Sequence, residues 1–161
     1  MSYTASVMQI VDGAWEGEDV DLGEVEDFDA LVDFLRERGP DAKTLVLFAE
    51  EDDEYVFIVR TTGERDPSTF ISDRRVLEGP GLAARVLGDE LIRADEEDED
   101  EESLRPEVEP AGDAGLLADL GLGADRLTAL CSAEGMLPSD VIFEVCEGIG
   151  CGSVLEELRG V

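Results

Sequence analysis

Histidine is absent from the 161-residue chain. Without imidazole there is no Ser-His or Cys-His nucleophile pair, no imidazole acid–base group and no histidine-ligated zinc. Lysine is nearly absent as well: the twelve cationic side chains are eleven arginines and Lys43, against 42 carboxylates, for a formal net charge of -30. Charge of that sign and size repels nucleic-acid phosphates and anionic lipid surfaces. A basic protein therefore fits as a partner, and direct nucleic-acid or membrane binding does not. The three cysteines, Cys131, Cys146 and Cys151, are an odd number in the spacing C-x14-C-x4-C, which matches no common zinc or iron–sulfur pattern and no disulfide framework. Cys131 and Cys146 fall on apolar helix faces, where cysteine packs as a small hydrophobe. No run approaches the roughly 20 apolar residues needed to span a bilayer. The opening "MSYTASVMQIVDG" has no basic region and no long apolar stretch. A soluble cytoplasmic protein in a reducing compartment is expected.

Catalytic motifs are equally scarce. "GLGADR" and "GIGCGS" lack the GKS/T ending of a phosphate-binding loop, and the second sits at a helix end, where glycine caps. The acidic runs lack the central glycine and ligand order of an EF-hand. No catalytic residue, cofactor or metal ligand is expected, and there is no internal repeat.

What is present is enough apolar sequence for a core, 43% of residues. "SYTASVMQIV" reads as a strand with Tyr3, Ala5 and Val7 on one face and Met8 and Ile10 on the other. "DGAWEGEDVDLGE" reads as a polar connection holding the lone tryptophan, Trp15. Trp15 is either a contact anchor for a partner or a ring folded back onto the sheet. "DFDALVDFLRERGP" gives a helix whose Phe28, Leu31, Val32 and Leu35 share a face, with Asp27 as its cap and Gly39-Pro40 as its stop.

"KTLVLFA" and "YVFIVRT" are uninterrupted apolar strands flanking "EEDDE", a hairpin with an acidic tip. Adjacent strand residues point to opposite faces, so these runs require cover on both faces of the sheet. One first-domain helix can cover one face; the other needs the later helix, the C-terminal segment or a partner. The tip, Glu50, Glu51, Asp52, Asp53 and Glu54, is the candidate partner-binding segment together with Trp15. The plainer reading is a solvated turn that discourages edge pairing. "STFIS" gives another strand, and "RRVLEGPGLAARVLGDELI" a helix broken at "GPG".

Between 94 and 112 the acidic run "DEEDEDEE" and the prolines of "RPEVEP" read as an extended linker. Its like charges repel within a Debye length of about 8 Å, and some 19 residues can reach roughly 60 Å. From 113 to 161 the pattern is short and helical, too small for a robust core of its own. The expected architecture is α+β: a sheet domain over 1–93, small, mostly antiparallel and carrying one or two packed helices; an acidic linker over 94–112; and a short helical bundle over 113–161.

Three stretches also carry a family resemblance: "VEDFDALVDFLRE", "LVLFAEEDDEYVFIVR" and "LLADLGLGADRLTALCSAEGMLPSDVIFEVCEGIGCGSVLEELR", in that order around an acidic linker. The chain resembles the actinobacterial tRNA adenosine deaminase-associated proteins. "EEDDEYV" and the pattern C-x2-EG-x-LP-x-DV from Cys131 to Val141 are its specific parts. The resemblance implies association with the enzyme that converts a tRNA wobble adenosine to inosine, and no catalytic residues. A zinc deaminase needs H-x-E and P-C-x-x-C, and this chain has neither. The expected function is therefore that of a non-catalytic accessory protein that binds or regulates the deaminase. The alternative is a self-associating acidic module, a homodimer unconnected with tRNA modification.

Overall fold

The computed structural model describes residues 3–38, 44–51, 54–62, 67–73, 76–77, 81–87, 111–132 and 135–159. The stop at Gly39-Pro40, tip residues Asp52 and Asp53, Gly79 and Pro80 of the "GPG" break and most of the expected linker lie outside the described residues.

Among the described residues, six strands form one antiparallel sheet: β1 (Tyr3–Val11), β2 (Ala14–Asp19), β3 (Thr44–Glu51), β4 (Tyr55–Thr61), β5 (Ser68–Ile71) and the two-residue β6 (Ala111–Gly112). Their order across the sheet is β2-β1-β3-β4-β5-β6. The helices are α1 (Phe28–Arg38), α2 (82–87), α3 (Ala124–Ser132), α4 (Pro138–Ile149) and α5 (Gly152–Arg159). A 3-10 turn, Ala118–Leu120, precedes α3. The α+β class expected from the pattern is the one observed.

The two-sided strands are covered on both sides by the chain itself. On one face Ala5, Val7, Leu45, Leu47, Phe57 and Val59 pack beneath Leu31 and Leu35 of α1 and Leu82, Val86 and Leu87 of α2. On the other, Met8, Val46, Phe48, Val56, Ile58 and Phe70 meet Leu127 of α3, Val145 and Ile149 of α4 and Leu155 of α5. The result is a helix–sheet–helix sandwich. Each large side chain withdrawn from water contributes roughly 1.5–3 kcal/mol.

Local chemistry sets the ends of the elements. The Ala30 N–H donates to Asp27 Oδ1 at 2.8 Å, the expected cap of α1. Pro138 opens α4, and the Leu137 N–H donates to Asp140 Oδ2 at 3.2 Å. At the other end of α4 the N–H groups of Gly150 and Cys151 donate to the Cys146 carbonyl at 2.9 and 2.8 Å.

Two elements depart from expectation. Ala111 and Gly112, within the expected linker, form β6 against β5. The segment read as a polar connection forms β2, which pairs with β1 from Val11↔Ala14 to Ser6↔Asp19. Asp12 and Gly13 make the two-residue turn, with φ of 53° and 82°. Both values are positive, and Asp-Gly is the pair that accepts such a turn. Polar residues fill β2 because the strand is at the sheet's edge, where much of each side chain meets water.

Candidate partner interface

The proposed contact residues occupy two different environments. Trp15 is half-buried on β2, packed at the border of the second core. Its Nε1 lies 3.5 Å from where a side-chain carbon on Gly150 would begin, so the ring rests on the end of α4. Glu50 is half-buried and Glu54 is exposed. Glu51 is only 6% exposed. Its Oε1 accepts a hydrogen bond from the Tyr55 hydroxyl at 2.6 Å and one from the Leu82 N–H at 2.9 Å. The Ala83 N–H donates in turn to the Tyr55 oxygen at 3.0 Å. Glu51 and Tyr55 therefore hold the start of α2 on the sheet, and the carboxylate faces the positive end of the helix. The acidic tip and Trp15 do not form one patch: Glu51 points into the first core and Trp15 borders the second.

The densest exposed charge among the described residues lies elsewhere. From Asp12 to Glu37 there are eleven carboxylates and one cation, Arg36, and all eleven acidic residues are exposed. They run along β2, through the connection to α1 and down the outer side of α1. Three interactions shape this region. Arg38 Nη1 donates to Glu18 Oε1 at 2.6 Å, and the same guanidinium lies 4.6 Å from the Phe34 ring centroid, joining the end of α1 to β2. The Tyr3 hydroxyl donates to Asp21 Oδ1 at 2.7 Å and accepts from the Leu22 N–H at 2.8 Å. Arg85 of α2 donates to the Leu22 carbonyl at 2.9 Å. Burial, then the bond to Asp21, raise the Tyr3 pKa above its ordinary value. The bonds from Tyr3 and from the Gly23 N–H hold Asp21 below the ordinary carboxylate value. Because the charges are interspersed with apolar residues rather than gathered in a run, the segment does not look like an acidic tract. A charge count per segment is the signal that finds it.

A second polar site ties the C-terminal half to the sheet. Arg60 on β4 is 8% exposed. Its Nη1 donates to the Leu116 carbonyl at 2.7 Å and to Asp119, and its Nη2 reaches Asp119 Oδ2 at 2.9 Å. This two-pronged pair closes one side of an open cleft of about 360 Å³, lined also by Thr62, Ser68 and Asp113. Burial pushes the Cys131 thiol up to about 11, so it carries little thiolate near neutral pH. Among the described residues no three His, Cys, Asp or Glu side chains converge where a metal ion could sit. None of the described helices is long and apolar enough to cross a membrane.

Comparison with known proteins gives a consistent family assignment. Neither the curated proteins nor the solved structures yielded a match. The profile of the Rv3753c-like tRNA adenosine deaminase-associated proteins matches residues 2–152, across both helical layers and the sheet between them. The chain belongs to the Rv3753c-like tRNA adenosine deaminase-associated protein family.

Proposed function

We propose that this chain is a non-catalytic, cytoplasmic accessory protein that binds the tRNA adenosine deaminase through its acidic surface. The observation that carries the reading is the exposed row of eleven carboxylates from Asp12 to Glu37, facing solvent beside a single cation. Family membership supports the tRNA adenosine deaminase as that partner. An enzyme that binds tRNA presents a basic surface to it. A dense anionic face complements such a surface, accelerating encounter and setting orientation. The same charge keeps this chain away from the tRNA itself.

Co-purification of the two proteins tests the proposal. Complex is expected in low salt and is lost as salt screens the charges; no complex at any salt concentration overturns the reading. The self-association alternative has less support, because both faces of the sheet are filled by the chain's own helices. Light scattering separates the two, with a monomer across micromolar concentrations expected here.

A further inference from the structure

The two edges of the sheet are unequal. The β6 edge is two residues long, too short to template another strand. The β2 edge is six residues long and contains no proline. Among the described residues its one strand neighbour is β1.

The register fixes which backbone groups face outward. The two-residue turn at Asp12-Gly13 makes Val11 and Ala14 the hydrogen-bonded closing pair. Hydrogen bonding alternates along an antiparallel pair, so Ala14, Glu16 and Glu18 bond inward to β1. The Val20 N–H continues this phase by donating to the Ala5 carbonyl at 2.9 Å. The N–H and C=O groups of Trp15 and Gly17 therefore point away from the sheet. Side chains alternate as well. Glu16 and Glu18 stand on the α1 side of the strand, whereas Trp15 and Gly17 lie over the second core beside α5.

We propose that the outer edge of β2 accepts an extended basic segment of a partner protein as an added strand, with lysine or arginine at alternate positions opposite Glu16 and Glu18. Glu16 is the main charge contact, since Glu18 Oε1 already accepts from Arg38 at 2.6 Å. Main-chain pairing supplies affinity and alternate side chains supply specificity in this mode of recognition. Residues opposite Glu16 and Glu18 would occupy the closer, non-hydrogen-bonded positions, where opposite charges attract across about 4.5 Å between Cα atoms. The charge also selects against two other occupants. A second copy paired edge to edge would set carboxylate against carboxylate. The chain's own "DEEDEDEE" segment would do the same. Acidic side chains thus guard the edge against this protein while leaving it open to a basic one. The proposal rests on the accessory-protein reading for the existence of a partner, but the pairing is testable without the deaminase.

The probe is a short synthetic peptide with lysine at every second residue and valine or threonine between, titrated into the full-length chain. Its control is the same peptide N-methylated on the backbone amides that would pair, which keeps every charge and removes those donors. Binding of the first, at least about tenfold weaker binding of the second, and slowed hydrogen exchange at the amides of Trp15 and Gly17 are expected. The variant Glu16→Lys, which alters an exposed side chain, should weaken binding about fivefold. Equal binding of the two peptides, binding without protection of those two amides, or no binding overturns the proposal. Capture of the deaminase with any of those results leaves the accessory reading standing and removes this one. Peptide pairing without capture of the deaminase does the reverse.

Discussion

The same strands present two apolar faces, and the chain covers them by different means. Over the first, α1 and α2 descend from segments close in sequence to the strands. Their polar ties are hydrogen bonds that the side-chain oxygens of Tyr3, Tyr55 and Glu51 accept from backbone N–H groups. Over the second, the cover is the far C-terminal third, and its principal polar tie is the Arg60–Asp119 ion pair. The contrast shows how little of an acidic protein's charge bears on its interior. Among the described carboxylates, Glu51 and Asp119 join layers through buried partners, and Glu18 joins α1 to β2 at the surface, whereas most of the row from Asp12 to Glu37 stays in water.

The largest effect expected from breaking this contrast comes from the core itself. Phe48→Ala on the second face should cost about 3–5 kcal/mol, and Leu47→Ala on the first about 2–5, read from urea midpoints. If the C-terminal helices and the sheet unfold together, circular dichroism and Trp15 fluorescence will give coincident transitions for both variants.

The polar ties come next. Glu51→Ala should cost about 2–3 kcal/mol by stripping the Leu82 N–H and Tyr55 hydroxyl of their acceptor, whereas Glu51→Gln, which keeps an acceptor, should cost less. Asp119→Ala should cost about 1–2 kcal/mol. That figure lies below the usual loss for a broken buried pair because the Asp119 side chain is 68% exposed. A reversed order for the Glu51→Ala and Asp119→Ala variants would show that the ion pair is the stronger tie.

Smaller again is Gly17→Ala. A β-carbon there would come within 2.6 Å of Met8 Sδ and 2.8 Å of Val154 Cγ1, and the displacement of α5 should cost about 1–2 kcal/mol. A variant as stable as the parent would mean that α5 is loosely held.

The smallest effect is a pH dependence on the first face. Asp21 has a folded-state pKa below its ordinary 3.8. Its contribution is therefore present above that value and disappears as pH falls through the lower, folded one. The stability difference between the parent and Asp21→Asn should be widest near neutral pH and close in acid. A difference that grows in acid would contradict the assignment.

Much of the fold is legible because β3 and β4 are uninterrupted apolar runs, and such runs demand cover on both faces. The amphipathic spacing in α1, α3 and α4 is equally plain. β2 escapes because an edge strand needs few apolar residues, although the Asp-Gly turn before it is a local hairpin signal. The acidic tip misleads for a related reason. Leu45, Leu47, Ala49 and Glu51 lie on one side of β3, so alternation already places Glu51 over the core while the surrounding charges suggest solvent. Trp15 was readable as an aromatic in polar sequence. Its support from Gly150 was not, because that contact joins residues far apart in the chain.

The late arrival of the second cover has a consequence for synthesis. Val46, Phe48, Val56, Ile58 and Phe70 leave the ribosome well before the helices that shield them. A nascent chain therefore passes through an interval with one side of its sheet bare and sticky. Chains stopped before residue 113 would remain in that condition, as natural clients for chaperones and proteases.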